Sequence, residues 1–474
     1  MRALLRILRV VAVLLVVVIG GFFILKAFGL RVEMAGTGLT PLFTFHDPDE
    51  HYEAIEEERA AERLETAVQP TVPPEEAVSS EAETAEAAAV SAPWPYYRGP
   101  QRDGSYDQTP IRTDWPAGGL PEVWRTKVGG GYASMIVAEG KVFTIEQRRD
   151  QEVVAAYTLD SGRQVWERGW KGFFSETLGG DGPRATPAYD SGKIYALGAE
   201  GELQCLQASD GKPLWRTNIL SDAGSRNITW GMSGAPLVVD DLVVVNPGGS
   251  GKAVAAYNKL SGEIVWQTQS GGAGYASPDV ATLVGRRQIL LMSGEKIMGL
   301  EIADGSLLWE FPWRTNQNIN SAQPLVVDDS HVLISSAYGH GAALLELSAA
   351  GDGIAVKELW QKNTLKNKFN SSVLYEDAVY GLDESILASV DVWTGDRNWK
   401  GGRYGFGQLL LADGHLIVLT EKGEVVLVKA TPESHQELAS FQALEGKTWN
   451  TPAMADGLLL VRNQTEMAAY RIAP

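Results

Sequence analysis

Cysteine is nearly absent: Cys205 stands alone in 474 residues, and histidine is limited to His46, His51, His331, His340, His415 and His435. One thiol cannot make an intrachain disulfide, and histidines at these separations show no metal-ligand spacing, so each reads as a surface or loop residue. Basic residues are in deficit, 41 against 59 acidic, for a formal charge of −18. With no basic patch to neutralise phosphates, nucleic-acid binding is excluded. A phosphate loop is excluded as well. Gly248-Gly249-Ser250-Gly251-Lys252-Ala253 has Asn246 where the first glycine belongs and Ala253 in place of the hydroxyl that would hold magnesium.

Tryptophan and glycine, by contrast, are frequent and regularly placed. Trp124, Trp166, Trp215, Trp266, Trp309, Trp360 and Trp399 recur about every 45 residues, the length of one four-stranded propeller blade. The text before each tryptophan repeats too: Asp160-Ser161-Gly162-Arg163-Gln164-Val165-Trp166 returns as Asp210-Gly211-Lys212-Pro213-Leu214-Trp215 and as Leu260-Ser261-Gly262-Glu263-Ile264-Val265-Trp266. A polar pair ending in glycine between two apolar runs is a tight hairpin, with glycine taking the positive φ. A second pair of strands precedes each hairpin, as in Ala235-Pro236-Leu237-Val238-Val239 and Asp240-Asp241-Leu242-Val243-Val244-Val245, giving four strands per period.

The pattern predicts an all-β, eight-bladed propeller, with blades near residues 132–166, 185–215, 233–266, 275–309, 321–360, 371–399 and 406–441, Phe441 replacing the last tryptophan. The remainder, Thr451 to Ile472, holds three strands only. The fourth is predicted to be Glu122-Val123-Trp124-Arg125-Thr126, so that both ends of the propeller share one blade and the ring has no open edge. Each indole is expected to wedge against the neighbouring blade.

These Asp/Ser-Gly-x-x-x-Trp blades resemble the pyrroloquinoline-quinone-like (PQQ-like) repeat family, which includes BamB-type outer-membrane assembly proteins and quinoprotein alcohol dehydrogenases. The resemblance runs from about Trp94 to the end and specifies fold rather than activity. Trp94-Pro95-Tyr96-Tyr97-Arg98-Gly99-Pro100-Gln101-Arg102-Asp103-Gly104 is similar to the lead-in of many bacterial members of the group. The dehydrogenases of the family imply PQQ, calcium, a carboxylate base and a ring of adjacent disulfide-linked cysteines. Here one cysteine rules out that ring, and no motif marks the Glu, Asn and Asp ligands. Cys205 also lies inside a blade strand, whereas a BamB-type protein carries a lipidated cysteine at its mature N-terminus.

Ahead of the propeller, residues 1–9 carry Arg2, Arg6 and Arg9, and residues 10–30 form an apolar stretch long enough to span a bilayer of about 30 Å with Lys26 snorkelling. The arginines place the N-terminus in the cytoplasm. A cleaved signal peptide would need a shorter apolar core and a small-x-small site, so a retained anchor is expected. Residues 31–93 read as an acidic Ala/Pro/Glu-rich linker, with 50–67 as a solvated helix and 69–92 as a disordered tether. The propeller at 94–474 is expected to face the periplasm or the outside from a single-pass inner-membrane anchor.

Polar and aromatic groups gather where blades begin. Arg184, Trp230, Asn320, Lys368, Asn370, Arg403, Tyr404, Gln408, Lys447, Trp449 and Asn450 are expected near the rim of the central channel. Of these, Arg184, Trp230, Asn370, Arg403, Tyr404, Gln408, Lys447 and Trp449 form the candidate ligand-binding set, Arg and Lys for charge and Trp for stacking. The function expected is binding or scaffolding, with a small ligand or another envelope protein as partner, without catalysis, metal or cofactor. The alternative is a dehydrogenase using PQQ and calcium.

Overall fold

In a computed structural model of the chain, residues 2–27, 30–34, 41–45, 48–68, 93–351 and 353–474 are described. Eight antiparallel sheets carry the fold, and each is a run of consecutive strands: 136–171, 188–218, 237–268, 279–312, 325–362, 373–403, 408–442, and 453–471 completed by strand β4 (Glu122–Lys127). The first strands of successive blades stand side by side around a channel. Closure is as the sequence predicts: Glu466–Arg471 pairs antiparallel with β4, Ala469 opposite Trp124.

The repeat motif explains how blades grip one another. The indole of one blade lies on the hairpin glycine of the next and donates to a carbonyl beside it, Trp166 to Ala208 O at 3.0 Å and Trp215 to Lys259 O at 2.9 Å. Gly211, at φ +71°, has the Trp166 ring 2.5 Å from where a Cβ would stand. Glycine is therefore required twice over, for its backbone angle and for the space the indole fills. Trp309 departs from the pattern and donates to Gln288 Oε1 within its own blade at 2.6 Å.

The seam between blades 8 and 1 carries more. Glu146, fully buried, accepts from Arg148 at 2.8 Å, from the Tyr157 hydroxyl at 2.7 Å and from the backbone of Gly129. Arg462, also fully buried, reaches across the seam to Gly129 O at 3.1 Å and to Thr144 and Ile145. Burial alone would raise the Glu146 carboxyl, but Arg148 and Arg462 outweigh it and hold it at about 2.

The N-terminal region differs from expectation in two respects. Helix α1 (Arg2–Ala27) ends before Leu30, which opens strand β1 (Leu30–Met34), paired with β2 (Pro41–Phe45). The apolar stretch expected to reach residue 30 is thus shortened, with residues 28 and 29 outside those described. The α1 side chains from Val13 to Val18 are more than half exposed, and among the described residues no helix is long and apolar enough to cross a membrane.

The helix expected as solvated is docked instead. Helix α2 (Pro48–Val68) buries Tyr52, Ile55 and Arg59 against the propeller. Arg59 donates to Thr126 Oγ1 at 2.9 Å and Lys127 O at 2.6 Å, and its guanidinium lies 5.3 Å from the centre of the Tyr157 ring. Glu58 takes the Lys127 amide and ammonium, and His51 contacts Val128 O. On the blade 1 side, Arg163 pairs with Glu65 and Arg149 with Asp49 and Glu56. The helix therefore bridges the outer end of the closing seam. The rest of the expected tether, 69–92, lies outside the described residues.

Candidate functional site

The channel is not open through the molecule, because the segment from Trp94 to Tyr106 runs across it. Trp94 exchanges two backbone hydrogen bonds with Val137 on the first strand of blade 1, and Pro95 O accepts from Tyr189 on that of blade 2. Strand β3 (Ser105–Tyr106) adds a parallel strand to the inner edge of blade 7, Ser105 opposite Leu411. Arg98, 3% exposed, donates to its own Asp103 O and to Ser372 O at the start of blade 6. Arg102 stacks 3.7 Å over Tyr96 and faces Asp279 of blade 4 at 3.9 Å. Burial, only partly offset by Arg102, raises the Asp279 carboxyl to about 6. The chain turns at Gly99, φ +94°, where the Trp94 ring comes within 2.8 Å of a would-be Cβ, so the Trp94-to-Gly99 spacing in the lead-in is a folding requirement of this plug.

Above the plug lies a pit of about 540 Å³, floored in part by Tyr97 and walled by the loops that lead into the blades. Seven of its lining residues are aromatic, and further rings back them. Trp449 packs on Phe369 at 4.7 Å and Tyr132 at 5.2 Å, Phe369 on Phe406 at 5.7 Å, and Trp230 on Tyr275 at 5.6 Å. Two cations line it, Arg184 and Lys368, with one carboxylate, Glu176. Arg184 is committed to Gly180 O and Gly182 O and lies 3.6 Å from Glu176, itself bound by the amides of Leu178 and Gly179.

Of the candidate residues, Arg184, Trp230, Gln408 and Trp449 line this pit, as does Lys368. Lys447 sits beside it, its ammonium 4.5 Å over the Trp449 ring and bonded to Leu178 O. Asn370 is buried with its side chain held by Asn367, and Asn320 and Asn450 tie loops together from within. The expectation that Arg403 and Tyr404 join the rim is corrected. Blade 6's outer strand continues past Trp399 to Arg403, which reaches Ser385, while the Tyr404 hydroxyl turns outward to His435 and Glu437 beside the outer strand of blade 7. Tyr97, Tyr132, Glu176, Tyr275 and Tyr338 are pit residues absent from the sequence-based set. Two of them had a signal: Gly131-Tyr132-Ala133-Ser134 and Gly274-Tyr275-Ala276-Ser277 are the same tetrapeptide ahead of blades 1 and 4.

The donor set does not fit PQQ with calcium. A hard cation asks for several oxygen ligands, yet Glu176 is the single carboxylate in the pit and is already engaged. Cys205 is buried in blade 2 with no second cysteine to join.

Eight blades of this repeat, closed by an N-terminal strand, define the class of PQQ-like propellers. The chain belongs to the family described as outer membrane protein assembly factor BamB, whose profile matches residues 149–401. The assembly factor BamB of Bordetella pertussis is 22% identical over 311 residues, covering 63% of this chain and 72% of that protein. A lanthanide-dependent methanol dehydrogenase from Methylacidiphilum fumariolicum is 36% identical over 89 residues, 18% of this chain and 14% of the enzyme. Among solved structures, BamB from Moraxella catarrhalis superposes with a TM-score of 0.54 at 15% identity, over 74% of this chain and all of that one.

Proposed function

We propose that this protein is a membrane-tethered, non-catalytic binding module that presents its pit and the surrounding loops to a partner in the cell envelope. The observation that carries the reading is the pit itself: a blind, aromatic-walled cavity whose one carboxylate and one of whose cations are spent on the protein's own backbone. Such a cavity binds by shape and stacking, and no facing acid and base stand ready for chemistry. Kinship with an outer-membrane assembly factor supports a protein partner. Arg2, Arg6 and Arg9, in the first turns of α1 and ahead of its apolar run, support an inner-membrane anchor with the propeller in the periplasm. The test is capture of partners from native membranes by the full chain. Trp230→Ala with Lys447→Ala at the mouth should lose the partner, while Arg403→Ala keeps it; capture unchanged by the double variant would move the binding surface elsewhere. Mass spectrometry should recover the N-terminal peptide of α1 in the mature protein.

The short stretch of likeness to a methanol dehydrogenase supports a second reading, a quinone-dependent oxidoreductase. Dye-linked alcohol oxidation after adding PQQ and calcium would establish it; we expect none.

A further inference from the structure

Among the described residues, Lys368 is the one charged group lining the pit that is neither ion-paired nor hydrogen-bonded. It sits 4.7 Å over the Phe406 ring and 5.3 Å over Tyr338, and among the described residues no carboxylate lies within ion-pair distance of it and no hydrogen bond reaches its ammonium. Burial lowers its pKa, and the only carboxylates that counter this, Glu384 and Glu421, act from a distance. A half-buried ammonium against aromatic faces, with water on its remaining side, is a receptor for an anion.

The rest of the pit defines the body that anion would carry. From Lys368 the wall continues as Phe369, Trp449 and Tyr132, a contiguous row of rings backed by Phe406. Neutral polyols find less there than the lining suggests, because several of the polar side chains are already paired. Gln323 exchanges two hydrogen bonds with the Ser277 backbone, Gln408 donates to Phe369 O and Trp449 O, and the Ser233 hydroxyl donates to Tyr275 O. A multiply charged ligand is opposed as well. Arg184 is committed to the Gly180 and Gly182 carbonyls and Lys447, beside the pit, to Leu178 O, so charges beyond the first would find only cations already engaged.

We propose that the pit binds a small mono-anion with a flat apolar body, its charge on Lys368 and its face on the Phe369–Trp449 wall. This rests on the pit being the binding site of a non-catalytic module, and it excludes the tri-anionic quinone as the preferred occupant.

The test is calorimetry on the full chain in lipid nanodiscs, with empty discs subtracted, using 2-naphthoate, its neutral analogue 2-naphthamide, and PQQ. Naphthoate should bind at least about tenfold more tightly than either of the others. Lys368→Met should abolish the preference for the acid over the amide and leave the amide unchanged, Lys368→Arg should restore it, and Arg403→Ala should behave as the parent. Thermal unfolding checks that each variant is folded. Equal binding of acid and amide, a preference that survives Lys368→Met, or tighter binding of PQQ would overturn the proposal. If no probe binds while partner capture still depends on Trp230 and Lys447, this inference falls and the binding-module reading stands; if capture is also indifferent to the mouth, both fall.

Discussion

The seam between blades 2 and 3 and the seam between blades 8 and 1 use the same wedge, Trp215 on Gly262 in one and Trp124 on Gly162 in the other. Only the second adds a buried ionic cluster inside and a helix across its outer end. The difference follows from connectivity. Blade 3 follows blade 2 along the chain, so that seam is held covalently close, whereas blade 8 is assembled from Glu466–Arg471 and β4, strands from opposite ends of the propeller. A ring can open only where no loop holds it, and the fully buried ionic cluster lies at that place, whereas among the described residues the seam between blades 2 and 3 carries a single part-exposed ion pair, Lys259 with Asp190 at 3.1 Å. Glu146 already pairs with Arg148 on its own strand, so what correct closure adds is Arg462 from blade 8, which in any other register would lose Thr144, Gly129 O and the nearby Glu146 charge.

The strongest way to break the comparison is Glu146→Ala, which leaves the buried Arg462 without its counter-charge and Arg148 with Glu167 alone, and should cost about 3–5 kcal/mol in urea unfolding at pH 7. The pH dependence has a definite sign. The folded carboxyl titrates at about 2 against 4.5 unperturbed, so its contribution is present above 4.5 and fades as the pH falls from there toward 2. The gap between parent and variant should close across that window.

Trp124→Ala and Trp215→Ala should each cost about 3 kcal/mol, and should agree within about 1 kcal/mol, since the wedge is common to both seams. A much larger loss at Trp124 would show that the indole, and not the ion cluster, distinguishes closure. Arg59→Ala should cost about 1–3 kcal/mol through its bonds to Thr126 and Lys127 and should speed hydrogen exchange in α2. The exposed pairs Arg149–Asp49 and Arg163–Glu65 add little to that docking. Smallest is Arg403→Ala, expected within about 0.5 kcal/mol of the parent because its side chain is exposed and makes one long bond to Ser385.

What was legible in the sequence was whatever is repeated. The Gly-x-x-x-Trp hairpins and the orphan Trp124 strand gave blade number and closure because each blade meets the same local demand. The plug was not legible. Its partners, Val137, Tyr189, Ser372 and Leu411, are distant in sequence, and nothing periodic in Trp94–Gly104 points to them. The rim was half legible: Arg184 and Trp449 fall where a blade begins, but Arg403 does too on paper, and only the extra length of blade 6's outer strand moves it away. Docking of α2 had a faint trace, since Tyr52, Ile55 and Arg59 share one face of an otherwise acidic helix.

Helix α2 also sets how far the propeller can roam. If α1 spans the bilayer as proposed, a free tether would run from Ala27 to Trp94, whereas docking at Pro48–Val68 leaves only about 20 residues of slack, part of them a hairpin. For flexible chains the end-to-end distance scales with the square root of length, so the reach falls from about 45 Å to about 25 Å. Local concentration scales roughly as the inverse three-halves power of length, so the pit meets a neighbour anchored in the same membrane about fivefold more often than the sequence length suggests. With α1 in a membrane, a helix that buries three side chains would thus act as a setting on effective molarity.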